Sequence, residues 1–390
     1  MKTRLLALGM GLGMMLVLAP MFTAVRAQES ARPTPVEVIV PAEPVPVAAE
    51  GKRVLAYELH ITNFGRDPLT LQRLEVYGGA PAPLATFEGA TLAQMISLVG
   101  QPMDMSMGKA PSQSPRLDPG RRLIVYMWLA LPLHDAVPAS LRHRLSFTVE
   151  GGEGAAKESH IDGIMVPVST ERAPRLLPPL RSGEWLAGNG PGISSGHRRT
   201  VVALKGRAYS SQRFAIDWTG VGKNTNTFHD SREKNENFWG YGQPVYAVAS
   251  GEVTEVVDKF PDNKPDHLPQ PVTLENIAGN HVIVRIAPDR YVLFAHLKAG
   301  SVRVRVHQQV TAQDVIAQVG NSGQTTAPHL HLQVMDADSA LAAEGVPYVF
   351  HSFTFLGYGR DFEEDKHPSV PKEDELPLDD YVVGFDQAAR

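Results

Sequence analysis

The sequence predicts a mainly β protein: an N-terminal β-sandwich of immunoglobulin-like character, then an antiparallel β-sheet domain carrying a cluster of histidines. Three observations lead there. Short runs alternate apolar and polar residues, glycine and proline punctuate them at close intervals, and no long stretch places apolar residues at helical spacing. At 390 residues the chain has ample length for two domains.

The first element is a leader. Lys2 and Arg4 precede an apolar run from Leu5 to Phe22, and Val25-Arg-Ala27 supplies small residues for cleavage, so residues 1–27 read as a secretory signal peptide. The run is also long enough for an uncleaved anchor, but its glycines and Pro20 oppose that. No later segment is apolar enough to span a bilayer, so no membrane association is expected after cleavage. The chain has no cysteine, which excludes disulfides and thiol lipidation and is compatible with export. A periplasmic or secreted location follows.

Residues 28–172 form the predicted sandwich. Val36 to Val40, Val54 to Thr62, Leu71 to Tyr77, Leu123 to Leu131 and Leu145 to Val149 alternate like strands covered on one face. Tyr57-Glu-Leu-His-Ile-Thr-Asn63 is the clearest, with His60 on its polar face. Met103, Met105 and Met107 alternate within a loop-like stretch; three thioethers so spaced suit a soft metal, but they equally suit an ordinary loop. Residues 173–184, with Pro174, Pro178 and Pro179, read as a linker.

Residues 185–360 carry the chemistry. In Asn321-Ser-Gly-Gln-Thr-Thr-Ala-Pro-His-Leu-His-Leu-Gln-Val334, His329 and His331 are two apart, so an extended strand aims both imidazoles the same way. A lone pair of this kind also decorates polar strand edges; here Gly320-Asn-Ser-Gly323 adds a tight turn just before it. Upstream, Arg213-Phe-Ala-Ile-Asp-Trp218 reads as a strand with Phe214, Ile216 and Trp218 on one face and Arg213, Ala215 and Asp217 on the other. Tyr291-Val-Leu-Phe-Ala-His-Leu297 ends a strand at His296. Between them lie Gly242-Gln-Pro-Val-Tyr-Ala-Val-Ala-Ser-Gly-Glu-Val253 and Gly279-Asn-His-Val-Ile-Val-Arg-Ile286.

These motifs in this order resemble the M23 family of zinc metallopeptidases, of the lysostaphin and LytM type, over about Trp185 to Phe355. The resemblance implies a groove floored by antiparallel strands, a zinc cofactor, and hydrolysis of peptide cross-links in bacterial peptidoglycan. It assigns Asp217 and His331 as metal ligands, with His296 and His329 as the catalytic histidines that assist water activation and stabilise the transition state. The residue types suit that chemistry: zinc takes nitrogen and oxygen ligands and keeps one position open in catalytic sites, and a neutral imidazole exchanges protons near neutral pH.

One position departs from the family pattern. The first ligand is usually a His four residues before the Asp, and here Arg213 fills that slot. A guanidinium is always charged and has no lone pair to donate. Either another histidine completes the metal set, or the site binds no metal. The favoured substitute is His197, in Asn189-Gly-Pro-Gly-Ile-Ser-Ser-Gly-His-Arg198, which resembles a lead-in accompanying the R-F-A-x-D variant of the family; a plain surface loop is the other reading. His229, in the polar insertion Lys223 to Asn237, is a weaker substitute. His267, His281 and His307 read as structural or surface residues. His307 and Gln313 stand where the family often has turn glycines, which suggests altered turns.

Charge adds little. Removing residues 1–27 takes away three bases and no acids, leaving 34 basic against 42 acidic residues. Residues 361–390 hold ten acids and three bases and read as an exposed, poorly ordered acidic tail. No basic stripe with interleaved aromatics points to nucleic acid. The expected partner is a peptidoglycan peptide, with a protein partner open for the sandwich or the tail. Two functions stand: a zinc endopeptidase of the cell wall, and a metal-free M23-like domain that binds the wall or activates another hydrolase.

Overall fold

Strand Lys52–Asn63 alternates as expected, yet both of its faces are buried. Its odd positions, Leu55, Tyr57, Leu59 and Ile61, enter one hydrophobic core, while Val54 and Ala56 enter another. The period-two geometry of a strand therefore aims Glu58 and His60 away from the first core. The face predicted to be solvated is covered: Glu58 is 1% and His60 3% exposed. The computed structural model that shows this describes residues 34–100, 114–150, 157–361 and 369–385. The proposed signal peptide and the Met103, Met105 and Met107 stretch lie outside the described residues.

The first core sits between two five-stranded antiparallel sheets. One runs Val36–Ile39, Lys52–Asn63, Arg122–Pro132, Ile96–Leu98, with Val47–Ala49 also on Lys52–Asn63. The other runs Lys157–Pro167, Ser140–Val149, Leu69–Tyr77, Ala85–Glu88, with Arg116–Leu117 also on Leu69–Tyr77. Leu71, Leu74 and Val76 from one sheet meet Leu123, Val125 and Met127 from the other. Each such side chain, fully buried, stabilises by roughly 1.5–3 kcal/mol.

The second core backs an eleven-stranded sheet. Its order is Arg175–Leu176, Val349–Tyr358, Tyr381–Gly384, Glu184–Gly188, Ile216–Val221, Leu330–Met335, Arg290–Leu297, Asn280–Ala287, Gly251–Val257, Gln309–Val310, with Val370–Glu375 added beside Val349–Tyr358. Trp185, Phe214, Ile216, Trp218, Phe294, Leu330 and Leu332 fill the core behind it. The mainly β, largely antiparallel expectation holds.

Three expectations need correction. The stretch read as a linker is built in: Arg175–Leu176 pairs in parallel with Val349–Phe350, and Leu176 and Leu180 are fully buried. The stretch read as a loose acidic tail supplies Val370–Glu375 and Tyr381–Gly384 to the sheet, with Val382, Val383 and Phe385 buried. Glu373 and Asp374 are exposed on a strand near apolar residues that pack, so a net charge count concealed a strand pattern. Arg213 does not share a strand face with Asp217. Residues 211–214 form turns, and the strand begins only at Ile216.

The positions that lack the usual turn glycine keep a glycine-like backbone. His307 (φ 67°) and Gln313 (φ 74°) both occupy the left-handed region, so the side chain changed and the turn did not.

Candidate active site

The site is built where three central strands lie side by side. Asp217 is in register with Gly188 on one side and His331 on the other, and His331 in turn pairs with Ala295, next to His296. His329 stands one residue before the strand Leu330–Met335, and both its imidazole and that of His331 reach Asp217. Asp217 Oδ1 is 2.9 Å from His331 Nδ1 and 3.3 Å from His329 Nε2. Leu330 between them turns to the opposite side and is buried in the core.

His197 arrives from outside the sheet. The four-residue helix Gly196–Arg199 holds its Nε2 3.3 Å from Asp217 Oδ2. The same oxygen accepts a hydrogen bond of 2.9 Å from Asn189 Nδ2. The Asn189 loop is fixed from the C-terminal segment, where Asp379 Oδ1 accepts from Gly190 N–H at 2.9 Å. One donor atom each from His197, Asp217 and His331 lie within 4.8 Å of one another, the one metal-competent group found among the described residues. The His197 and His331 rings meet edge to face at 4.8 Å, and those of His296 and His329 make a tilted contact at 4.8 Å.

Outer hydrogen bonds set the tautomers. Gln333 Nε2 donates to Ala340 O at 3.1 Å, which leaves its Oε1 to accept from His331 Nε2–H at 2.8 Å. His331 therefore presents the lone pair of Nδ1. His329 Nδ1–H donates to Ala327 O at 2.9 Å and His296 Nδ1–H to Ser322 O at 2.8 Å, which frees Nε2 on both. His197 Nδ1 has Ala215 O at 3.4 Å and presents Nε2 likewise. His296 reaches its place on a left-handed backbone (φ 57°), uncommon for a residue with a side chain and held here by its surroundings. The turn behind it is as tight as its glycines imply. A Cβ on Gly323 would lie 2.3 Å from Gly279 N, so only glycine permits that approach.

The electrostatics follow from this crowding. Burial alone would raise the Asp217 pKa, but His197 and His329 beside it hold the carboxyl well below the usual range. Burial would lower His197 and His329, but the Asp217 charge and hydrogen bonds prevail and raise both. His331 is lowered, chiefly by burial. His296 is pushed well below the ordinary imidazole value by burial and by its neighbours His329 and His331.

The donor set fits a metal ion. Hydrogen bonds at the far ring nitrogens orient the imidazoles so that lone pairs converge on one buried carboxylate, an arrangement that repels unless a cation lies between. Two imidazole nitrogens and one carboxylate oxygen are ligands zinc accepts, with a position left open.

Arg213 takes no part in this cluster. Its Nη2 lies 2.7 Å from Glu58 Oε2 and 2.7 Å from Glu344 Oε2, its Nε donates to Glu58, and its Nη1 donates to Gly345 O at 2.8 Å. Nor do the remaining histidines. His229 pairs with Asp230 at an exposed position, His267 bonds Pro265 O, His281 bonds Gly279 O, and His307 meets Glu252. Sequence reasoning missed Asn189, Gln333 and Asp379. Gln333 lies two residues beyond His331, so strand alternation was a signal for it; Asn189 and Asp379 depend on loop closure and carry none.

Residues 238–343 match the model of peptidase family M23. The matched segment contains His296, His329 and His331; His197, Arg213 and Asp217 precede it. Among solved structures, the catalytic domain of the antimicrobial peptidase lysostaphin from Staphylococcus simulans is 19% identical, covering 42% of this chain and 86% of that one, with a TM-score of 0.23. A peptidase M23 from Pseudomonas aeruginosa is 16% identical, covering 81% and 92%, with a TM-score of 0.22. A zinc-containing peptidase from Vibrio cholerae is 15% identical, covering 79% and 85%, with a TM-score of 0.26. No curated protein matches the chain.

Proposed function

We propose that this chain is an exported zinc-dependent endopeptidase that hydrolyses peptide cross-links of bacterial peptidoglycan. The observation that carries the reading is the convergence of His197, Asp217 and His331 donor atoms within 4.8 Å. In this reading these three residues hold the metal and His197 replaces the ligand missing at position 213. Bound zinc supplies a Lewis acid for the scissile carbonyl and for water. His296 and His329 aim Nε2 at the same place, where a bare Nε2 would accept a proton from water and, once protonated, Nε2–H would donate to the developing oxyanion. Asn189 and Gln333 keep Asp217 and His331 oriented.

The substrate class rests on the resemblance to the lysostaphin type, and the proposed periplasmic or secreted location on the leader. Among the described residues no helix is long and apolar enough to cross a membrane. The metal-free alternative drew its support from Arg213 in the ligand slot, and that guanidinium is committed to Glu58 and Glu344.

The test is zinc stoichiometry of the purified mature chain by elemental mass spectrometry, followed by digestion of purified peptidoglycan with mass-spectrometric detection of released peptides. About one zinc per chain and new peptide termini are expected. A chain that takes up no zinc from excess metal and still binds peptidoglycan would replace this reading with the metal-free one.

A further inference from the structure

The helix that carries His197 is anchored outside the peptidase sheet. Its next two residues point the other way, into the N-terminal pair of sheets. Arg198 is fully buried, and its Nη2 donates to Tyr57 O at 3.2 Å and to Met127 O. Arg199 donates to Ile96 O and Ser97 Oγ, both at 3.1 Å. A helix of one turn has no stability of its own, so the place of His197 depends on what these two arginines hold.

Both halves of the metal cluster then meet at one carboxylate. Glu58, from strand Lys52–Asn63, has a side chain with no exposure at all. Its Oε1 lies 3.5 Å from Arg198 Nε, beside His197, and its Oε2 lies 2.7 Å from Arg213 Nη2, in the turn that leads to Asp217. Arg198 Nε and Nη1 make no hydrogen bond, so its buried charge leans on Glu58. With Glu344 on Arg213, two buried cations face two buried anions, and the exposed Arg207 reaches Glu344 from outside at 3.5 Å. Arg213 meets Glu58 through both Nε and Nη2, and such forked geometry fixes direction as well as distance.

We propose that Glu58 is a positioning residue for the metal site: through Arg198 and Arg213 it sets the spacing between His197 and Asp217. The inference rests on the zinc reading above. It also accounts for arginine in the usual ligand slot. Once a histidine reaches Asp217 from the helix, position 213 is free to tie the Asp217 strand to the N-terminal sheets.

The test compares zinc affinity of the full mature chain, by competition with a chromophoric chelator, in wild type, Glu58→Gln, His197→Ala and the double variant, with circular dichroism on each. Glu58→Gln is expected to keep its β spectrum and bind zinc at least tenfold more weakly. In the His197→Ala background it is expected to cost nothing further, because its effect runs through His197. Should Glu58→Gln not fold, Arg198→Lys carries the same comparison, since it keeps the charge and loses the Nη2 hydrogen bonds to Tyr57 O and Met127 O. Unchanged affinity in the single variant, or an equal loss in both backgrounds, overturns the inference while leaving the zinc reading intact. A wild-type chain without zinc affinity removes the zinc reading, and the inference with it.

Discussion

Arg213 Nη2 and Glu58 Oε2 lie 2.7 Å apart, joining the turn before Asp217 to a strand 155 residues earlier. Arg213 stands four positions before Asp217, the spacing at which a histidine ligand is expected. The turn at 211–214 sends the side chain to the far side instead. Arg213→His would restore the sequence pattern, but it would take the guanidinium away from Glu58 and Glu344 in a dry interior. Removing one member of a buried ion pair costs about 3–5 kcal/mol. The expected outcome is a strongly lowered unfolding midpoint in urea. In the His197→Ala background, Arg213→His is expected to give no recovery of zinc binding by equilibrium dialysis. Recovery would mean that position 213 still reaches the site.

His197→Ala should abolish zinc retention at stoichiometric metal and reduce peptide release from peptidoglycan by several orders of magnitude, with little change in melting temperature of the metal-free chain. His197 has 11% of its side chain exposed, and it sits on a one-turn helix held by Arg198 and Arg199, so the fold does not depend on its imidazole. Full zinc occupancy in this variant would remove His197 from the ligand set.

Gln333 tests the tautomer argument. Its Oε1 accepts from His331 Nε2–H and so leaves Nδ1 unprotonated. Gln333→Leu removes the acceptor in a buried place, freeing the imidazole to turn or to protonate at Nδ1. Losses of outer-shell partners typically weaken metal binding 10–100-fold. That range is expected for zinc in a chelator competition, with the β spectrum preserved. An affinity within twofold of wild type would show that the backbone alone orients His331.

Much of this arrangement was legible beforehand, for physical reasons that differ by residue. His329 and His331 share a direction because strands have period two. Asp217 and His296 belong to strands whose apolar faces are plain in the sequence. His197 was legible only as a histidine in a glycine-rich lead-in, since one helical turn leaves no periodic trace. The role of Arg213 was not legible, because it depends on a carboxylate far away in sequence. Strand Lys52–Asn63 looked half solvated because Glu58 and His60 are charged or polar; pairing and covering made that face interior. The strands near the C-terminus were masked by their acids, whose charge said nothing of Val382, Val383 and Phe385.

Zinc binding should be coupled to proton release. In the metal-free chain burial opposes the charge on His197 and His329, yet Asp217 raises both above the ordinary imidazole value near 6.5. At pH 6.5 these groups therefore carry protons that an incoming cation must displace. Calorimetry in buffers of different ionisation heat should show net proton release at pH 6.5. The release should fade, and affinity should level, as pH rises above the raised values. Proton uptake, or none at any pH, would contradict the proposed metal contact of His197 and the place of His329 beside it.

Acid should weaken the N-terminal sheets in a separate window. His60 and His143 are both lowered to about 4, chiefly by burial. His143 is fixed as neutral: Nδ1–H faces Ile164 O at 3.2 Å, and Nε2 accepts from Tyr57 O–H at 2.7 Å. A lowered imidazole pKa means that the unfolded chain protonates near pH 6.5 and the folded chain only near 4. Between those values the unfolded state binds more protons, so stability falls as pH drops, by up to roughly 3 kcal/mol per histidine. Above pH 6.5 both states are neutral and neither group contributes to the slope. Denaturant titrations from pH 8 to 4, with metal removed, should show this decline, and His143→Gln should make it shallower. A variant as steep as wild type would show that His143 is already charged in the folded protein or that the acid sensitivity lies elsewhere.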